Sequence, residues 1–127
     1  MPKLYLTVAA LTGFLAVALG AFAAHGLQAR LTDQLLTTFQ TGVQYHMYHA
    51  LALLGVGILS IHYPGSTALR VSGLLFILGI LVFSGSLYIL ALSGIRWLGA
   101  ITPIGGVALL AGWSALLWFA LTDATAA

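Results

Sequence analysis

The stretch Thr38–Leu54, TFQTGVQYHMYHALALL, places polar and ionisable side chains inside one of the long apolar segments of this chain. His46 and His49 are three residues apart, so on a helix they lie on nearly the same face, with their Cβ atoms about 5–6 Å apart. Gly42 and Leu53 fall on that face as well. An unpaired polar group in hydrocarbon costs on the order of several kcal/mol. This face is therefore predicted to turn towards other helices.

The composition is that of an integral membrane protein. The 127 residues are 61% hydrophobic and 5% charged, with a mean hydropathy of +1.11, whereas soluble domains carry about 25% charged residues. The net charge of +2 comes from scattered single side chains, which excludes a basic nucleic-acid surface. The absence of cysteine excludes disulfides, thiol chemistry, iron–sulfur clusters and covalent haem attachment.

The apolar segments predict an all-α fold, a membrane four-helix bundle formed by a single transmembrane domain over residues 1–127. A helix needs about 20 apolar residues to cross the bilayer. The predicted transmembrane helices lie at about 4–24, 41–61, 68–92 and 99–121, with an interfacial lead-in helix at about 33–40. Thr32 or Asp33 is a suitable N-cap for one helix running from the lead-in to about Ile61. Pro103 fits the first turn of the last helix.

The first segment has a competing interpretation as a signal peptide, since Ala21–Ala23 has the small-x-small form of a cleavage site. Because the apolar run is longer than a usual signal core, we expect it to be a retained helix. Four crossings put both termini and the turn at 62–67 on one side, called side A. The connections at 25–41 and 93–97 then lie on the opposite side, called side B.

Polar side chains from all four segments gather in the half of the molecule nearer side B. We predict that they form one polar cluster, a candidate ligand or proton site, made of His25, Tyr45, His46, Tyr48, His49, Ser86, Tyr88 and Thr102. Arg30 and Arg96 are candidate lipid headgroup contacts at the interface. The positive-inside rule gives no clear orientation because each side carries two basic residues. The basic N-terminal region favours cytoplasmic termini.

Three motifs point to a family. The stretches Gly20–Leu27 (GAFAAHGL), Tyr45–Leu53 (YHMYHALAL) and Ile101–Gly106 (ITPIGG) together resemble the YgdD-like family of small, uncharacterised bacterial inner-membrane proteins, which has small eukaryotic transmembrane relatives. The chain departs from the family pattern at Ala23, where glycine is usual, and at His46, where glutamine is usual. The resemblance implies a four-helix membrane protein without an established activity, cofactor or substrate. The motif residues that carry over are His25, Tyr48, His49, Thr102 and Pro103.

The function predicted from these features is that of a non-enzymatic protein of the bacterial inner membrane. It would act as an accessory or assembly subunit of a membrane complex, or as a lipid-binding scaffold. The expected partners are the lipid bilayer and either other membrane subunits or a second copy, with no nucleic acid and no cofactor. One alternative is a small oligomeric transporter or channel that uses the histidine and tyrosine cluster.

A second alternative is a metal- or haem-binding membrane protein. Neutral imidazole binds zinc, copper and iron, and the candidate ligands are His25, His46 and His49. No carboxylate lies within an apolar segment to complete such a site. The sequence therefore defines no firm metal site.

Overall fold

The computed structural model describes residues 1–124, and every regular element in that part of the chain is helical. The α-helices are α1 (Pro2–Phe22), α2 (Asp33–His62), α3 (Thr67–Gly79), α4 (Gly85–Ser93) and α5 (Thr102–Thr122). Short segments with other helical windings are the π-helical Ala23–Leu27 and Ile80–Ser84 and the 3₁₀-helical Arg96–Ala100. Because α3, the second π segment and α4 follow one another directly, the described chain forms four helical rods. The predicted all-α class is confirmed.

The long helix α2 contains both the lead-in segment and the polar stretch around His46. Its N-cap is Thr32, whose side-chain oxygen accepts a hydrogen bond from the backbone N–H of Leu35 at 3.2 Å. The helix then runs unbroken for 30 residues to His62, or about 45 Å at 1.5 Å per residue. The prediction of one continuous helix beginning at this cap is confirmed.

α1 and α2 pack antiparallel along most of their length. Gly20, near the end of α1, packs against Val43 in the first half of α2. Gly57, near the end of α2, packs against Leu6 at the start of α1. Small residues at such positions allow two helices to approach closely in a membrane.

α3 runs parallel to α1 and antiparallel to α5. The ring of Tyr5 fills the space beside Gly73, and its hydroxyl donates a hydrogen bond to the carbonyl oxygen of Arg70 at 2.5 Å. Phe76 fills the space beside Gly112 of α5. The main helix contacts therefore place α2 and the α3–α4 rod at the centre, with α1 and α5 outside them.

The start of α1, the turn between α2 and α3 and the end of α5 meet at one end of the molecule, as predicted for side A. Tyr5 and Arg70 are hydrogen-bonded there. The hydroxyl of Ser66, the N-cap of α3, donates to the carboxylate of Asp123 at 2.5 Å. The connections at 28–32 and 94–101 lie at the opposite end, side B.

Three rods are long and apolar enough to cross a membrane: Pro2–Leu27, Thr67–Ser93 and Arg96–Thr122. The fourth predicted crossing, at 41–61 in α2, does not reach the same apolarity within the described residues. The tyrosines and histidines between residues 45 and 49 lower the hydropathy of every 18-residue window of α2. The apolarity of the sequence therefore supports three of the four predicted crossings.

The helix predicted at about 68–92 is present but is not wound as a uniform α-helix. Its π-helical turn, Ile80–Ser84, adds about one residue to the local repeat. The hydroxyl of Ser84 donates a hydrogen bond across to the carbonyl oxygen of Gly42 in α2 at 2.7 Å. The hydrophobic pattern of the sequence gave no sign of this π turn.

The closest approach between α5 and the π turn is at Gly105, where a Cβ atom would collide with the backbone nitrogen of Phe83 and lie 2.7 Å from its Cα. We expect Gly105→Ala to lower the free energy of unfolding by about 1–3 kcal/mol, since backbone cannot move aside as a flexible side chain can. Thermal unfolding of the detergent-solubilised protein, followed by circular dichroism, measures this loss.

The matched control is Gly106→Ala. A Cβ atom there would make ordinary contact with the ring of Phe83, at 3.7 Å. Alanine also favours a helix over glycine by up to about 1 kcal/mol, so this variant should unfold at or above the wild-type temperature. Equal unfolding temperatures for the two variants would contradict the packing described for Gly105.

Candidate functional site

His49 connects α2 to α5. Its Nδ1–H donates to the backbone carbonyl of Tyr45, one turn earlier, at 2.7 Å, and its Nε2 accepts from the indole Nε1–H of Trp113 at 3.0 Å. The residue is only 5% exposed and lies against the ring of Phe76. His49 therefore forms a buried hydrogen-bonded link between α2 and α5, and such a link between helices is called a tie here. The side chain faces inward, as predicted.

The two hydrogen bonds of His49 determine its protonation state. A carbonyl oxygen only accepts a hydrogen bond and an indole N–H only donates one. Nδ1 must therefore carry the proton, and the lone pair of Nε2 must face Trp113. The imidazole is neutral and both of its nitrogens are occupied, so it has no lone pair left for a metal ion.

His46 faces α4 instead. Its Nδ1 lies 2.8 Å from the hydroxyl of Tyr88, and the residue is 5% exposed. Its Nε2 is buried without a hydrogen bond of normal geometry among residues 1–124, although the backbone of Thr12 in α1 interacts with this imidazole. His46 therefore lies where α1, α2 and α4 meet.

Ser86 and Thr102 form a separate tie between α4 and α5, with their hydroxyl oxygens 2.6 Å apart. Ser86 also donates to the carbonyl of Phe83 at 2.9 Å. The polar cluster predicted in the half near side B thus consists of separate ties. They are His46–Tyr88, His49–Trp113 and Ser86–Thr102.

The structure does not bring His25 to these residues. His25 is exposed, and its Nδ1–H donates to the carbonyl of Ala21 in its own rod at 2.9 Å. The prediction that His25 turns inward with His46 and His49 is wrong. His25 lies in the last helical turn before side B, where a backbone carbonyl of the same rod accepts its hydrogen bond.

The metal alternative needed the three histidines to converge, and they do not. Among residues 1–124, no group of three or more His, Cys, Asp or Glu side chains is placed to hold an ion. His25 lies outside, and both nitrogens of His49 are occupied. The geometry gives no support to a metal or haem site here.

Beside His49 and Trp113 lies a lateral groove of about 600 Å³ between α2 and α5, named here the α2/α5 groove. Its lining residues are Tyr45, Tyr48, His49, Phe83, Pro103, Gly106, Val107, Leu109, Leu110 and Trp113. Apart from one imidazole and two phenol hydroxyls, the lining is aliphatic and aromatic. The groove can therefore accept an apolar molecule.

Aromatic contacts hold the walls of this groove in place. The ring of Tyr45 is stacked parallel to His49 at 6.3 Å and contacts Phe83 at 5.0 Å between centroids. On the other wall, Trp113 packs edge-to-face on Phe76 at 5.1 Å. Tyr45 and Tyr48 are 40% and 50% exposed, so they face the groove and the outside instead of joining the buried ties.

A second cavity, of about 680 Å³, lies at side B and is named here the side-B recess. Its lining residues are Thr32, Gln34, Leu35, Thr38, Leu90, Gly94 and Arg96. Of the two arginines predicted to contact lipid headgroups, Arg96 lines this recess. Arg30 lies exposed in the connection at 28–32 before α2 and does not line the recess.

Two residues of the site, Trp113 and Phe83, were absent from the predicted cluster. Trp113 lies in the middle of α5, unlike Trp97 and Trp118 near the ends of that rod. An indole N–H at mid-membrane depth needs an acceptor, and this was the available signal. Phe83 carried no such signal, because its position depends on the π turn that precedes α4.

The fold and this site define a helical membrane protein whose polar side chains tie its helices together beside a lateral apolar groove. The chain belongs to the family described as "Protein of unknown function (DUF423)", whose model matches residues 19–106. No solved structure matches the chain.

Similar bacterial proteins carry the name UPF0382 membrane protein. The Bacillus subtilis protein YwdK is 49% identical over 111 residues, which cover 87% of this chain and 90% of that protein. The Staphylococcus haemolyticus protein SH2409 is 47% identical over 117 residues, which cover 91% of this chain and 93% of that protein. The Haemophilus influenzae protein is 44% identical over 118 residues, which cover 93% of this chain and 94% of that protein.

These comparisons confirm the prediction of a membrane protein from an uncharacterised bacterial family. The narrower YgdD-like designation, the inner-membrane location and the cytoplasmic termini stay predictions. The names of these relatives include no enzymatic activity. The absence of an enzymatic activity also stays a prediction.

The tie between His49 and Trp113 can be tested with Trp113→Phe, which keeps an aromatic ring but removes the indole N–H. We expect a loss of about 0.5–2 kcal/mol in the free energy of unfolding, the range for hydrogen bonds between membrane helices. Trp118→Phe is the matched control, since Trp118 is 63% exposed, and it should change little. Unfolding by dodecyl sulfate in mixed micelles measures both, and equal losses would contradict a specific role for Trp113.

The tie between His46 and Tyr88 can be tested with Tyr88→Phe. Removing the hydroxyl leaves Nδ1 of a buried imidazole without its partner, which costs about 1–3 kcal/mol. Tyr48→Phe, at a 50% exposed tyrosine, should cost less than half as much in the same unfolding assay. A larger loss for Tyr48→Phe would contradict this assignment.

Proposed function

We propose that this protein is a non-catalytic membrane scaffold that binds a lipid acyl chain in the α2/α5 groove. The observation that supports the proposal is the groove itself, a cavity of about 600 Å³ with a mostly aliphatic and aromatic lining. It lies on a rod long and apolar enough to cross a membrane. Of the functions predicted from sequence, the lipid-binding scaffold agrees best with this geometry.

The proposal includes a membrane crossing by α2. α1 and α3 run in the same direction, because α1 packs antiparallel to α2 and α2 packs antiparallel to the α3–α4 rod. If both cross the membrane, the chain between them has to return to the first side. α2 is the helix in that interval and packs antiparallel to α1. Its buried polar face is compatible with crossing because His46 and His49 face protein instead of lipid.

The dimensions and surroundings of the groove favour an acyl chain. Along α5 the lining extends from Pro103 to Trp113, which corresponds to about 15 Å of helix at 1.5 Å per residue. Inside a bilayer the molecules that surround a lateral apolar groove are lipid chains. Rigid aromatic walls reduce the entropy lost on binding, because few side chains have to be ordered.

The transporter or channel alternative receives less support. It depends on imidazoles free to exchange protons or bind a substrate. Both nitrogens of His49 are used in helix contacts, and His25 lies apart on the exposed surface. An accessory or assembly role in a larger membrane complex is compatible with a lipid-binding scaffold and forms part of the proposal.

The proposal predicts that filling the groove displaces bound lipid. Val107 lines the groove and Ile104, three residues earlier on α5, does not; their exposed fractions are 65% and 66%. We expect wild-type protein and Ile104→Trp, purified in mild detergent, to retain about one lipid molecule each in native mass spectrometry. Val107→Trp should retain at least five-fold less, because its indole would occupy the space of the acyl chain.

Unfolding temperatures of the three proteins provide the folding control, since both substituted side chains are exposed. Equal lipid retention by Val107→Trp and Ile104→Trp would refute the groove as the binding site. Wild-type protein that retains no lipid would refute the proposed function as a whole.

A further inference from the structure

We infer that the lipid bound by this protein has a net anionic headgroup, held at Arg96 in the side-B recess while its acyl chain lies in the α2/α5 groove. This inference rests on the proposed function and specifies the class of ligand. The relative position of the two cavities along α2 and their difference in polarity make them suitable for the two ends of one amphiphile.

The two cavities lie on the same face of α2. Thr38 lines the recess and Tyr45 lines the groove. Residues seven apart are separated by nearly two full helical turns, so the two side chains leave the same face, about 10 Å apart along the axis. The recess lies nearer side B and the groove lies deeper. A lipid with its headgroup at the interface would meet the two cavities in that order.

The recess is built to receive a polar group at the membrane surface. Thr32, Gln34 and Thr38 line its α2 side, and Arg96 lines the opposite side. Gly94 has a positive φ of 73° and ends α4 in the left-handed conformation, which reverses the chain and starts the segment that carries Arg96. The recess thus combines amide and hydroxyl groups with one guanidinium.

The charge of the recess favours a net anionic headgroup over a zwitterionic one. Arg96 is exposed and forms no ion pair within residues 1–124. Its planar fork can bind two oxygens of a phosphate group together. Asp33, in the first turn of α2, does not line the recess. The choline or ammonium group of a zwitterionic lipid would therefore find no carboxylate in the recess. The phosphate of a lipid whose headgroup carries no positive charge would be neutralised by Arg96 alone.

The test uses full-length protein in vesicles that contain phosphatidylcholine and phosphatidylglycerol in equal amounts, with identical acyl chains. After mild solubilisation, native mass spectrometry counts the two lipids retained on the protein. We expect phosphatidylglycerol to be enriched about five-fold on the wild type, the preference that one basic residue near the surface provides. Arg96→Gln should retain the same total amount of lipid in the ratio of the vesicle.

Arg30→Gln is the matched control. Arg30 also lies near side B but does not line the recess, so this variant should keep the five-fold enrichment. If the wild type retains both lipids equally, or Arg96→Gln keeps the enrichment, the inferred headgroup site is wrong while acyl-chain binding in the groove stands. If Val107→Trp retains as much lipid as the wild type, the groove proposal fails and this inference fails with it.

A second measurement identifies the occupant directly. The chain contains no cysteine, so Val107→Cys supplies a single thiol for a photoreactive label inside the groove. After illumination in the same vesicles, adducts of the mass of phosphatidylglycerol support the inference. Adducts with a second protein chain would show that another copy occupies the groove and would overturn it.

Discussion

Polar side chains buried among apolar helices need partners within the protein, and the arrangement of the helices reflects that requirement. Apolar burial contributes little between helices that are already surrounded by lipid. Close packing at small residues and a few polar ties between helices provide the specificity instead. Tyr5 binds the backbone of α3, Ser72 binds the carbonyl of Gly112 in α5, and Ser84 binds that of Gly42 in α2. His46 and His49 then fix α2 to α4 and α5.

This use of polar groups has a direct effect on what the molecule can bind. The buried imidazoles and hydroxyls that the sequence offers as candidate reactive groups form hydrogen bonds between helices. Few polar groups inside the bundle are therefore left to bind a ligand or react. The surface left between α2 and α5 is mostly aliphatic and aromatic. In the proposed function, recognition at this surface depends on shape and apolar contact, and charge enters only at Arg96 in the side-B recess.

Much of the fold was predictable because helix periodicity, apolar length and capping are local properties of the sequence. Thr32 as the cap of α2, Pro103 at the start of α5 and the inward face shared by Gly42, His46 and His49 were correctly predicted. The partners were less predictable, since Trp113 and His49 are 64 residues apart in the sequence and meet only because α5 packs beside α2. The prediction for His25 was wrong because its position along the chain gives its depth in the membrane but not the direction of its side chain. The groove depends on Phe83, whose placement follows from a π turn that no residue pattern indicated.

That π turn determines how the third rod responds to a change in chain length. The extra residue in Ile80–Ser84 sets the angular offset between the α3 half and the α4 half of one continuous rod. Winding the same number of residues as an ordinary α-helix would rotate α4 by about 100° about its axis. Tyr88 would then leave His46 and Ser86 would leave Thr102, although no contact residue had been altered. A deletion of one residue within this turn would therefore keep α4 nearly in register, because the change to ordinary winding absorbs the loss, whereas a deletion that left the π turn in place would rotate α4 away from these contacts.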